Sequence, residues 1–184
     1  QAAVCSAAEP PGGACDMAAA ADTAPAPVAY SLWLCPPEDS ELSGKLTELI
    51  ALLAERFKGP KFAPHVTLLG HAPRGDEEAA REAAQQLARS VEPFEIVIPA
   101  ASAAYEDTWN QNVLLFAEKT EGFLAANALA RERLHGAPAG EASFAPPSRR
   151  PHLSLLYGNH SPEERAEVVA FVAKEAPWAV GGFS

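Results

Sequence analysis

At 184 residues, 48% of them hydrophobic and 21% charged, the chain carries enough apolar material for one well-buried domain and is short for two. A balance of 14 Lys and Arg against 24 Asp and Glu gives a net charge of −10, which opposes a stable complex with long nucleic acid and leaves a small anion as the easier ligand. No apolar run approaches the roughly 20 residues of a bilayer span, and Cys5, Cys15 and Cys35 have neither zinc-site spacing nor the density of a disulfide scaffold, so a reducing, cytoplasmic setting and a monomer without a membrane partner are expected.

Residues 1–27 are mostly Ala, Pro and Gly without periodicity and read as a disordered tail; the opening Gln1 suggests a reading frame that begins upstream. Order is expected from Val28. Val28, Tyr30, Leu32 and Leu34 alternate as a strand that Pro36-Pro37 ends. Leu42, Leu46, Leu49, Ile50, Leu53 and Phe57 then recur at helical steps until Gly59-Pro60. The spacing next predicts a strand over 62–69, a turn at Pro73-Arg74-Gly75, a helix over 76–90, and strands over 94–98 and 113–117. A helix fits 122–134, and a Pro- and Gly-rich connection over 136–148 delivers a strand over 151–157. Ser161-Pro162-Glu163-Glu164 has the hydroxyl, proline and acids of a helix start. The closing Gly181-Gly182-Phe183-Ser184 reads as the entrance to a further strand, so the domain over 28–184 is expected to be truncated.

One internal repeat stands out. Pro64-His65-Val66-Thr67-Leu68-Leu69 matches Pro151-His152-Leu153-Ser154-Leu155-Leu156. Strand alternation sets His65 and Thr67 on one face, and His152 and Ser154 on one face of the second copy. A lone His-x-Thr arises by chance, and a lone histidine on an apolar strand is usually a core residue; two copies in matched contexts outweigh a duplication kept for packing. Opening a cyclic phosphate needs a base to activate water and an acid to protonate the departing oxygen, and histidine titrates in the range for both. The hydroxyls of Thr67 and Ser154 suit the non-bridging phosphate oxygens. Neither metal nor cofactor is required. A zinc site would want a third ligand, for which there is no Cys pair and no His-Glu-x-x-His helix, and the nucleophile elbow and phosphate-binding glycine loop are also missing from the sequence.

At Tyr30-Ser31-Leu32-Trp33, the run from Gly59 to Thr67 and the run from Pro151 to Tyr157, the sequence resembles the 2H phosphoesterase superfamily and, within it, the cyclic phosphodiesterases of plants and yeast. The resemblance spans about residues 28–184. It implies an α+β, bilobal fold with two antiparallel sheets, outer helices and a central cleft holding one motif from each lobe. It also implies hydrolysis of ADP-ribose 1″,2″-cyclic phosphate and of nucleoside 2′,3′-cyclic phosphates to 2′-phosphates, small nucleotides released by tRNA splicing chemistry. Tyr157 is implied at the substrate site, and Trp109 and Gln111 match a segment able to supply a stacking wall. The acidic pair Glu106-Asp107 departs from the pattern. His152 is assigned as general base and His65 as general acid, an assignment that chemistry allows to be reversed. The rivals are an RNA-end cyclic phosphodiesterase, a 2′,5′-oligonucleotide hydrolase, and a nucleotide-binding module without turnover. His71, His135 and His160 read as solvated loop or helix-end residues, and Arg74, Arg149 and Arg150 as loop charges that either guide an anion or merely solvate.

Overall fold

The structure, a computed structural model, describes residues 3–8, 30–72, 77–144 and 149–184. Six strands form one antiparallel sheet in the order β1-β2-β3-β6-β5-β4. They are β1 (Ala3–Ala8), β2 (Tyr30–Cys35), β3 (Val66–Ala72), β4 (Ala103–Tyr105), β5 (Val113–Phe116) and β6 (His152–Leu156). The helices are α1 (Glu41–Phe57), α2 (Glu77–Ser90), α3 (Glu121–His135), α4 (Pro162–Glu175) and the single turn α5 (Pro177–Val180), with a 3-10 turn at Trp109–Gln111.

Local chemistry sets the helix ends. Ser40 Oγ accepts from Ser43 N at 3.1 Å to open α1, and the left-handed Lys58 (φ 61°) closes it. Thr120 caps α3 through Phe123 N, and Gly136 (φ 62°) supplies its left-handed end. At α4 the expected start is a full capping box: Ser161 Oγ accepts from Glu164 N while Glu164 Oε2 accepts from Ser161 N. Leu46, Leu49, Ile50 and Leu53 of α1 are buried at three- and four-residue steps. Leu46, Leu49 and Leu53 join Val66, Leu68, Leu153, Leu155, Val113, Phe123 and Val168 in one core.

The α+β class stands, but where the resemblance implies two sheets the described residues form one. The triplets β1-β2-β3 and β6-β5-β4 meet at a single registered pair, Val66 and Leu153. Three further differences concern strands. The segment over 94–98 forms no strand, because only Ile98 makes a bridge, exchanging backbone bonds with Phe183 at 2.8 and 2.9 Å, while Val97 O accepts a single bond from Glu118 N at 2.8 Å. The strand expected over 62–69 starts at Val66 and runs to Ala72, since Pro64 has no N–H to give a ladder. Within the expected tail, Ala3–Ala8 pairs along the open edge of β2, whose free backbone groups accept any extended segment. The remainder of that tail, the turn at 73–75 and the side chain of His71 lie outside the described residues.

Candidate active site

Val66 on β3 and Leu153 on β6 lie opposite each other and are both buried in the core. Directly opposed residues share a face, and neighbours along a strand alternate. Continuing the register by one residue each way therefore sets His65 opposite Ser154 and Thr67 opposite His152, all four on the face turned from the core. The two histidines are diagonal neighbours, whose backbones stand about 7–8 Å apart. This brings together the four residues singled out by the repeat.

Each imidazole is held in the same way. His65 Nδ1 donates to Ala63 O at 2.7 Å, and His152 Nδ1 donates to Arg150 O at 3.2 Å. In both copies a proline, Pro64 or Pro151, separates the carbonyl from the histidine, and its fixed φ sets the turn that brings the carbonyl of residue i−2 back to the ring. A carbonyl only accepts, so Nδ1 carries the proton and Nε2 holds the lone pair. Burial lowers the pKa of both rings, and the carbonyl contacts partly oppose it. Beyond that the two differ: a charge on His152 pushes His65 further down, whereas the Glu106 carboxylate favours a proton on His152.

Aromatic side chains wall the site. Trp33, opposite Thr67 on β2, stacks on His65 with centroids 3.6 Å apart and planes within 9°. Phe62 meets His65 edge-on and stacks on Tyr157 at 4.0 Å, and Trp109 leans on Tyr157 at 5.4 Å. Under this cover His65 is 5% exposed and Ser154 is 4% exposed. Tyr157 is thus linked to His65 through Phe62, and Trp109 packs against Tyr157. Gln111 enters by its backbone instead, its carbonyl accepting from Glu106 N and its N–H donating to Thr108 O, and its side chain makes no hydrogen bond to a described residue.

Trp33 and Phe62 escape a reading of the repeat alone; for Trp33 the signal is parity, since it alternates away from the inward Leu32 and Leu34. Ser154 Oγ donates to Asn110 O at 3.2 Å, so this hydroxyl must rotate before it can serve a phosphate oxygen. His160 is not a solvated loop residue. Its ring bridges Asn112 Oδ1 at 2.8 Å and Phe57 O at 2.6 Å, tying the end of α1 to the segment before β5. His135 does sit in the last turn of α3.

Arg165, 5% exposed on α4, secures the neighbouring loop. It donates through Nε to His160 O, through Nη1 to Glu106 O, both at 2.9 Å, and through Nη2 to Asp107 Oδ1 at 2.6 Å. A cavity of about 240 Å³ opens there, lined by Asp107, Trp109, Asn112, His160 and Arg165 among others, with neither His65 nor His152 in its lining. Among the described residues, no three His, Cys, Asp or Glu side chains gather as a set of metal ligands.

The arrangement can move protons at two points around one bound anion. A family model described as cyclic phosphodiesterase-like protein matches residues 28–180, and no curated protein sequence matches the chain.

Proposed function

Because the chain belongs to the cyclic phosphodiesterase-like family, we propose that it hydrolyses cyclic phosphates on small nucleotides by metal-independent two-histidine acid/base catalysis. The observation that carries this reading is the matched pair of imidazoles. Each has Nδ1 committed to the carbonyl two residues back and Nε2 as its lone-pair nitrogen, beside a hydroxyl on the facing strand.

In the proposed reaction water attacks the cyclic phosphorus in line with the departing ribose oxygen. One histidine, neutral, takes the water proton through Nε2, and the other, protonated on both ring nitrogens, gives its Nε2 proton to the leaving oxygen. Glu106 supports a proton on His152, which favours His152 as acid and His65 as base, the reverse of the assignment drawn from sequence. Thr67 and Ser154 donate to the non-bridging oxygens, where charge builds in the transition state. Substrates that follow are ADP-ribose 1″,2″-cyclic phosphate and nucleoside 2′,3′-cyclic phosphates, the latter opened to 2′-phosphates.

The test is phosphorus NMR of adenosine 2′,3′-cyclic phosphate with the protein in EDTA, beside His65→Ala and His152→Ala. The 2′-phosphate should form only with the unmodified chain, each histidine contributing about 10²–10⁴ in rate. Most of the activity surviving both single substitutions, or loss on chelation restored by zinc, would refute the mechanism.

A further inference from the structure

Phe116 on β5 is registered directly against His152, so its ring leaves the sheet on the histidine face, one strand further out. Over that ring lies the Arg150 guanidinium, with its central carbon 3.4 Å from the centroid. Arg150 is exposed, and its side chain has no ion pair or hydrogen bond with any described residue. A stack on an aromatic uses the flat face of the guanidinium and leaves its N–H edge free for an oxyanion. The main chain of the same residue holds His152 through its carbonyl. One residue thus fixes the orientation of an imidazole and presents a cation about 5 Å, one strand spacing, to its side.

The first phosphate has its partners already in the two imidazoles and two hydroxyls. A cation set one strand beyond them matches a second anionic group on the same ligand, and in a chain of net charge −10 it offsets the repulsion such a ligand meets. We propose that Arg150 binds a second phosphate, esterified to the 5-oxygen of the ribose that bears the cyclic phosphate. This rests on the reaction proposed above and deepens it: the preferred substrates are nucleotides phosphorylated at that oxygen, and nucleosides with a free 5-hydroxyl are the poorer ones. The ribose ring spaces the two phosphates, and the guanidinium edge takes two oxygens of the outer one in a bidentate pair.

The test reads binding by calorimetry, with adenosine 2′,5′-bisphosphate and adenosine 2′-phosphate as probes. The unmodified chain should hold the bisphosphate tighter by about 10-fold or more. Arg150→Ala should bring the ratio of the two Kd values close to one. Arg150→Lys, which keeps the charge and loses the flat stack, should retain only part of it. Arg149→Ala should keep the full ratio. Equal Kd values in the unmodified chain, an unchanged ratio in Arg150→Ala, or no binding of either probe would overturn the assignment. Turnover of adenosine 2′,3′-cyclic phosphate, followed in parallel, separates the two ideas. Turnover without the ratio removes Arg150 alone, and the ratio without turnover keeps Arg150 and removes the reaction.

Discussion

Replacing Arg165 with Met keeps most of the side-chain volume and deletes three donated hydrogen bonds. Two of them, to His160 O and Glu106 O at 2.9 Å, come from a buried guanidinium to backbone carbonyls. Bonds of this charged kind contribute about 1.5–3 kcal/mol each. Arg165 and His160 both line the cavity, where water can re-enter, so the lower end applies and the pair is worth about 3 kcal/mol. The third bond ends on Asp107, whose side chain is 94% exposed, and adds little. Urea denaturation of Arg165→Met should therefore show a midpoint lowered by about 3 kcal/mol divided by the slope, with the slope itself unchanged. Asp107→Asn should barely move it. Arg165→Met should also slow turnover, because Arg165 anchors the loop that carries Asn110 O to Ser154. A loss below about 1 kcal/mol, or an Asp107→Asn effect equal to that of Arg165→Met, would refute the reasoning.

Both histidines have lowered folded values, so the unfolded chain binds more protons as pH falls. Their contribution to stability is whole above the ordinary value of 6.5 and is lost as pH drops through the folded values; urea midpoints at acid and neutral pH should differ less in His65→Gln than in the unmodified chain. Glu106→Gln should lower the His152 pKa further, and the alkaline limb of the pH–rate profile should move to lower pH if His152 is the acid, whereas movement of the acidic limb would make it the base. Ser154→Ala should reduce kcat by about 10²–10³ with KM nearly unchanged if the hydroxyl acts in the transition state; a change confined to KM would assign it to ground-state binding. Gly59→Ala would drive a methyl to 2.6 Å from Leu156 Cδ1 and 2.8 Å from Tyr157 O, and should cost about 1–3 kcal/mol by thermal denaturation, with a loss of activity as Tyr157 shifts.

The elements legible in the sequence are those whose own pattern decides them. The period of Leu46 to Leu53 gives α1, the run Ser161-Pro162-Glu163-Glu164 gives the start of α4, and the doubled histidine motif gives the two central strands. Elements decided by a partner are not legible that way. Ala3–Ala8 extends because β2 offers an edge, while the β-branched run ending in Ile98 stays irregular because it meets Phe183 at one bridge and Glu118 through one bond, with no ladder along its length. The site divides along the same line. Parity along a strand places His65 with Thr67, and only the cross-strand register reveals that Trp33 covers His65, that Phe116 lies beside His152, and that His160 is held between two distant segments.

The lone Val66–Leu153 junction makes the chemistry a question of alignment. Sliding β3 past β6 by one residue would turn every inward side chain outward, which the core forbids. A slide of two residues keeps the inside and outside of both strands and would still set His65 opposite His152, with Thr67 facing Arg150, so apolar patterning alone does not reject it. What rejects it are ties that fix one triplet of strands to the rest of the molecule along the chain direction. Asn127 Nδ2 grips Leu68 O at 2.7 Å, His160 grips Phe57 O, and Gly59 fits against Leu156 and the Tyr157 carbonyl with no room for a methyl group. These remote contacts act as the indexing pins of the fold: none involves His65, Thr67, His152 or Ser154, and together they decide which of those residues faces which.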